Sequence, residues 1–275
     1  MPSPPPVLTT NPESIADLPL TGADAWALPW EVPGVRAALT TRAGGASRAP
    51  FDSLNLGTHV GDDLAAVQAN RARVAQGLST RPVWLNQVHG TTVAWLDDTS
   101  ADGLSADGVC TSQRGVACTI MVADCLPVLL SDSQGQVVAA AHAGWRGLAG
   151  HAGLGILDNT VRALRERVSP QVKLQAWLGP CIGPQVFEVG AEVVRAFADN
   201  GFNPEDHSRP HPERADKWLL NLAGLARQRL NRLGVDRITG NDGSSGWCTV
   251  TDATRWFSHR RDQVSGRLAA LIWRV

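Results

Sequence analysis

The sequence predicts a mixed α/β fold of the α+β class, a single domain in which mixed β-sheets form a sandwich-like core covered by helices. Short apolar runs follow one another with no helix between them, whereas a doubly wound parallel sheet needs a crossover after every strand. Four amphipathic patterns interrupt these runs without a regular strand-helix rhythm. At 275 residues, 43% hydrophobic and 19% charged, the chain has the composition to bury a large core. No internal repeat or clear domain boundary divides it.

Residues 1 to about 25 are rich in Pro, Ser and Thr and are expected to form a poorly ordered leader, with one domain over 26–275. A strand is expected over 35–41. A helix follows over 62–77, opening with Asp62 and Asp63 at the positive end of its dipole and carrying Leu64, Val67, Val74 and Leu78 on one stripe. Strand-like runs over 82–88 and 92–96 flank a polar interruption from Asn86 to Thr91. Further strands are expected over 116–122, 127–132 and 136–142. The three-four spacing of Leu154, Leu157, Val161, Leu164 and Val168 predicts a helix over 154–168. A strand over 172–178, helices over 189–199 and 219–233, and a strand near 268–274 complete the chain.

Composition also narrows the partners. A net charge of -1 gives no overall field for nucleic acid or an anionic membrane, so a small molecule is the expected partner. The start lacks a basic region followed by an apolar one, and the most apolar later run, ACTIMVADCLPVLL, is broken by Asp124 and Pro127. Five cysteines at irregular spacing (Cys110, Cys118, Cys125, Cys181 and Cys248) argue for reduced thiols and a cytoplasmic setting.

The stretch VVAAAHAGWRG runs small apolar residues straight into His142, Gly144, Trp145 and Arg146. If the preceding segment is a hairpin turning at Gln134 and Gly135, Pro127 faces His142 and Cys125 reaches the same open end. His89 lies at the polar break between two strand-like runs. Two imidazoles and a thiolate suit Zn²⁺, and a catalytic zinc keeps three protein ligands and one open position. Copper in a His₂Cys site is the alternative metal. The same residues admit structural roles. Cys125 can be a buried thiol, the histidines hydrogen-bonded groups, Arg146 the partner of a surface carboxylate and Trp145 a core aromatic.

TTRAGGAS, SLNLGTHVGDD, WLNQVHG, MVADCLPVLL, AAAHAGWRG, GPCIGPQVFEVG and CTVTDATRWFSHRRD, in this order over about residues 30–275, carry a family resemblance. The chain resembles the family variously called purine nucleoside phosphorylase, laccase-domain or polyphenol oxidase protein, and peptidoglycan editing factor. The resemblance implies that His89, Cys125 and His142 bind one metal, usually zinc. It also implies phosphorolysis of the purine nucleosides adenosine, inosine and methylthioadenosine, with some adenosine deamination. The chain departs from many relatives at Gln185, Val186 and Phe187 and at Asn221-Leu222, which touches substrate contacts and not the ligands.

Within that reading, Arg42 beside Gly44 and Gly45, and Arg146 between Gly144 and Gly147, are expected to supply donors to phosphate. Asn86 and Gln87 carry amides suited to a purine edge, or tie up turn backbone. Asp124 is a candidate proton donor or orienter of a ligand histidine, or else caps a strand end. Other classes remain open: a copper phenol oxidase, a hydrolase with Cys125 as nucleophile and His142 as base that edits peptidoglycan precursors, and a zinc-stabilised binding module. Seven histidines with no His-x-His pair cannot ligate the four coppers of a true multicopper oxidase.

Overall fold

The computed structural model describes residues 25–275, so the expected Pro-rich leader lies, up to residue 24, outside the described residues. The chain begins β1 (Ala25–Leu28), β2 (Val35–Thr40), α1 (Leu64–Leu78), β3 (Arg81–Trp84), β4 (Val93–Leu96), β5 (Gly108–Thr111) and β6 (Val116–Val122). It continues through β7 (Leu126–Asp132), β8 (Val138–Ala143), α2 (Trp145–Ala149), α3 (Ile156–Arg165), β9 (Leu174–Leu178), β10 (Glu188–Gly190) and α4 (Ala191–Asp199). Then come β11 (Ser208–Pro210), β12 (Lys217–Leu220), α5 (Leu222–Arg232), β13 (Arg237–Gly240), α6 (His259–Asp262) and β14 (Leu268–Arg274).

Two large mixed sheets stack face to face. One has the order β1-β2-β14-β6-β3 and the other β13-β9-β7-β8-β5-β4, while β10-β12-β11 form a small third sheet. Three pairs are parallel, β3 with β6, β4 with β5 and β9 with β13; the remaining pairs are antiparallel. The mixed α/β class is therefore the observed one.

Side-chain parity explains why the central strands read as unbroken apolar runs. In β6, Cys118, Ile120 and Val122 face the second sheet, while Ala117 and Met121 face a cluster completed by Val74 and Leu78 of α1. In β8, Val138 and Ala140 face the sandwich interior, whereas Ala139 and Ala141 pack with Leu157, Val161 and Leu164 of α3. A strand covered on both faces has no reason to alternate. Each fully buried Leu or Val contributes roughly 1.5–3 kcal/mol by leaving water.

Two residues assigned to helix stripes lie outside them. Leu64 is 54% exposed because it is the first residue after the cap Asp63, whose carboxylate accepts from the Ala65 N–H. Asn70 takes the inward place, with its amide bonded to Ser47, to the carbonyls of Ser53 and Asn55, and to the Ala46 N–H. Leu154 is 49% exposed, since it bridges to His151 in the loop before α3 and Ile156 opens the buried stripe instead. The short strands β1, β5 and β10 to β13 and the one-turn helices α2 and α6 carry too few residues for a periodicity to appear in the sequence. No helix among the described residues is long and apolar enough to cross a membrane.

Candidate metal centre and cavity

The hairpin between β7 and β8 has the expected register, with Pro127 opposite His142. His142 shares the parity of Val138 and Ala140 and so points toward the space between the two sheets. Cys125, just before β7, reaches the same end, and the loop after β3 brings His89 across from the five-stranded sheet. The donor atoms of His89, Cys125 and His142 all lie within 4.8 Å of one another. Cys125 Sγ and His89 Nε2 are 3.8 Å apart. Tetrahedral zinc, with bonds of about 2.3 Å to sulfur and about 2.0 Å to nitrogen, sets an edge of about 3.5 Å between two such atoms. The donor chemistry fits a zinc ion, with the Cys125–His89 pair near that edge and the three donors together drawing in from within 4.8 Å.

Asp107, at the entry to β5, is the residue that the sequence reading passed over. Its fully buried carboxylate lies 2.8 Å from His142 Nδ1 and accepts from the N–H groups of Val88, His89 and Gly90. Its carbonyl accepts from the His142 N–H. His89 has φ of 60°, a left-handed conformation that costs a non-glycine residue roughly 1–2 kcal/mol. Burial alone would raise the Asp107 carboxyl, but His142 and the loop N–H groups hold it below the usual carboxylate range. A single Asp in ADGVC gave no local signal, because its partners arrive from segments distant in sequence.

Charge is distributed unevenly in the centre. Burial works against ionisation of Cys125, yet the adjacent His142 lowers the thiol to about 6. Burial likewise disfavours charge on His142, but the Cys125 thiolate and Asp107 raise it to about 9. The two shifts reinforce each other and favour the thiolate–imidazolium form of the pair in the metal-free protein.

The two glycines of HAGWRG make room for protein atoms. A Cβ at Gly144 would lie 3.0 Å from Cys125 Sγ and 3.1 Å from His89 Cδ2, and one at Gly147 would lie 2.7 Å from the Gly90 carbonyl oxygen. Close packing of the ligand loops is what they provide.

The three donors open into a cavity of about 410 Å³. Its walls include the cations Arg146, Arg260 and Arg267, the imidazoles of His59 and His259, and the apolar faces of Trp145 and Phe187. Arg146 lies over the Trp145 ring, 4.3 Å from its centroid. His59 is held below the ordinary histidine range by partial burial and then by Arg267 and Arg71. Neither His59 nor Arg267 was singled out as a site residue, since nothing local in GTHVG or SGR signals that these segments meet the ligand loops.

Other sequence candidates lie elsewhere or have their polar groups engaged. Arg42 does not line the cavity; it donates to the carbonyls of Asp52 and Ala253 and pairs with the Asp52 carboxylate. Asn86 is also outside and donates to Ser105 Oγ. Gln87 lines the wall, but both ends of its amide are bonded to the Met121 backbone. Asp124 adjoins the cavity with φ of 90°, one oxygen accepting from Thr249 Oγ1 at 2.6 Å and the other from the Arg260 N–H at 2.6 Å. The bond to His142 Nδ1 that orients the imidazole comes from Asp107. Asp124 instead ties the α6 segment, with His259 and Arg260, to the ligand loop.

Comparison with known proteins identifies the family to which the chain belongs. The sequence model of the family described as multi-copper polyphenol oxidoreductase laccase matches residues 36–275. The chain is 47% identical over 253 residues to a protein of Pseudomonas aeruginosa named purine nucleoside phosphorylase, covering 91% of this chain and 98% of that one. It is 44% identical to purine nucleoside phosphorylase YfiH of Escherichia coli, covering 90% and 97% respectively. Among solved structures, a Neisseria meningitidis protein superposes with a TM-score of 0.83 at 41% identity, covering 91% of this chain and 99% of that one. YlmD from Geobacillus stearothermophilus superposes with a TM-score of 0.82 at 32% identity, covering 94% and 98%.

Proposed function

The chain belongs to the multi-copper polyphenol oxidoreductase laccase family, and from that premise we propose that it is a zinc-dependent purine nucleoside phosphorylase. Its substrates in this reading are adenosine, inosine and methylthioadenosine, with adenosine deamination as a side activity. The names of its relatives support the reaction class. The observation that carries the reading is a three-donor cluster opening into a cavity that also presents Arg146, Arg260 and Arg267.

Phosphorolysis forms a bond between a phosphate oxygen and C1′ as the bond from C1′ to N9 breaks. The purine leaves with the electron pair and takes up a proton, and ribose 1-phosphate remains. The residues meet the two demands of this exchange. Guanidinium groups hold the attacking anion, and Arg146 is placed on the cavity wall by its stacking over Trp145. Trp145 and Phe187 offer flat apolar walls for the base. Zinc held by His89, Cys125 and His142 would supply Lewis acidity through an open position. Asp124 serves as a tether, because both its oxygens are already engaged. The five free thiols suit a reducing cytoplasm.

The test is product analysis by mass spectrometry of zinc-quantified protein with adenosine, with and without phosphate. Adenine and ribose 1-phosphate appearing only with phosphate support phosphorolysis. Inosine in both samples assigns deamination as the main activity, and the absence of any product overturns the nucleoside reading.

One observation favours a second reading. Cys125, His142 and Asp107 stand in the order of a thiolate, an imidazole and an orienting carboxylate, the arrangement of a Cys-His hydrolase. Such a site would act on amides, cell-wall precursors included, and would be inhibited by zinc. Activity that rises on chelation would favour it.

A further inference from the structure

We propose that Asp107 is the positioning residue of the metal centre, holding both ligand histidines so that His142 presents Nε2, and His89 its ring, to one ion. The inference rests on the metal part of the reading above and does not depend on which reaction follows.

The carboxylate makes four contacts from two oxygens. Oδ1 lies 2.8 Å from His142 Nδ1 and accepts from the His89 N–H at 2.9 Å. Oδ2 accepts from the Val88 and Gly90 N–H groups at 3.1 and 2.7 Å. Residues 88–90 therefore wrap around one buried anion, which offsets the left-handed conformation of His89. The contact with Nδ1 fixes the proton of a neutral imidazole on that atom and leaves Nε2 free to bind metal. Both contacts are direct, at 2.8 Å to the His142 ring and 2.9 Å to the His89 N–H, so both histidines move if Asp107 moves.

Asp107 is itself held in place. It precedes β5, whose Gly108 pairs with Ala141 of β8, so Asp107 and His142 face each other at the next step of the ladder. Its N–H donates to the Thr92 carbonyl, and its carbonyl takes the His142 N–H at 2.7 Å. The backbone ladder thus sets the carboxylate position to which the loop at His89 conforms.

Asp107→Asn removes the negative charge and replaces one acceptor oxygen with an NH₂ group that cannot accept from the loop N–H groups. Loss of such an orienting partner typically weakens metal binding 10–100-fold. The experiment titrates zinc into the full chain against a chelating dye, for wild type, Asp107→Asn and Asp107→Glu, with circular dichroism as the check on folding. The expected result is a 10–100-fold weaker zinc Kd for Asp107→Asn at unchanged secondary structure, with partial recovery in Asp107→Glu. A wild-type Kd in Asp107→Asn would overturn the proposal. Long-range ¹⁵N–¹H correlation of zinc-loaded wild type supplies a readout that survives misfolding of the variants. It should show the His142 proton on Nδ1, and a proton on Nε2 would overturn the assignment. Zinc affinity is read without nucleoside, so failure of the phosphorylase reading leaves this result intact.

Discussion

Gly144 packs directly against Cys125: a Cβ on residue 144 would stand 3.0 Å from the thiol sulfur. That is closer than carbon and sulfur normally approach, and the same Cβ would crowd His89 at 3.1 Å. Gly144→Ala should therefore push two ligands apart while leaving the sheets intact. Overpacking of this kind costs about 1–3 kcal/mol. The expected outcome is a cooperative thermal transition at lower temperature together with substoichiometric zinc, measured by calorimetry and elemental analysis. Full zinc occupancy in the variant would mean that the loops relax without loss of the site.

The metal-free protein should carry a reactive thiolate at neutral pH. Burial alone would suppress ionisation, and the His142 imidazolium reverses that effect, bringing Cys125 to about 6. Because the thiol is lowered, its thiolate persists as pH falls and disappears only as pH drops through about 6. Iodoacetamide labelling of chelated protein should thus be nearly flat from pH 7 to 8 and fall below pH 6, with adduct mapped to Cys125. The other four cysteines are buried and should label slowly. In His142→Ala the imidazolium is gone and burial remains, so the labelling midpoint should move above the ordinary thiol range. An unmoved midpoint would remove His142 as the cause.

The hairpin placing Pro127 opposite His142 was legible in the sequence because a connection centred on Gln134 and Gly135, together with the two-residue period of strands, fixes register from local information. The ligand cluster followed from that register, from the chemistry of its three donors and from the family resemblance. Asp107 was not legible, because its partners come from residues 88–90 and 142, and no spacing encodes a meeting of three strand ends. Arg42 and Asn86 show the converse. A guanidinium or amide beside glycines looks the same in sequence whether it faces a ligand or neighbouring carbonyls, and here Arg42 faces the carbonyls of Asp52 and Ala253. The helix stripes erred at Leu64 and Leu154, where the periodic pattern extends past the point at which packing begins.

Arg146 and Arg42 should separate under mutation. Arg146→Ala removes an exposed guanidinium from the cavity wall and no hydrogen bond that holds the fold. Steady-state kinetics should show a KM for phosphate raised about 10-fold or more, corresponding to loss of a charge-assisted contact of roughly 1.5–3 kcal/mol. Zinc content and melting temperature should stay near wild type. Arg42→Ala should lower the melting temperature, because its guanidinium joins Asp52 to Ala253 across the fold, and should leave the phosphate KM unchanged. If Arg42→Ala raises KM instead, the anion enters from the Arg42 side.

Copper loading tests the oxidase description attached to the family. Reduction of dioxygen to water takes four electrons, which a multicopper enzyme delivers from four ions. This chain has seven histidines, and among the described residues only His89, Cys125 and His142 form a group of three donors able to hold a metal. Copper bound in the chelated protein should therefore saturate at one ion per chain, with the His₂Cys donor set of a blue-copper site. A single ion exchanges one electron at a time, so phenol oxidation by the copper form should be slow and should reduce dioxygen to superoxide, two of which dismutate with two protons to hydrogen peroxide and dioxygen. Elemental analysis of dialysed protein and a peroxide assay during phenol turnover check both points. Four coppers per chain, with oxygen consumed and no peroxide formed, would require a second cluster of ligands and restore the laccase reading.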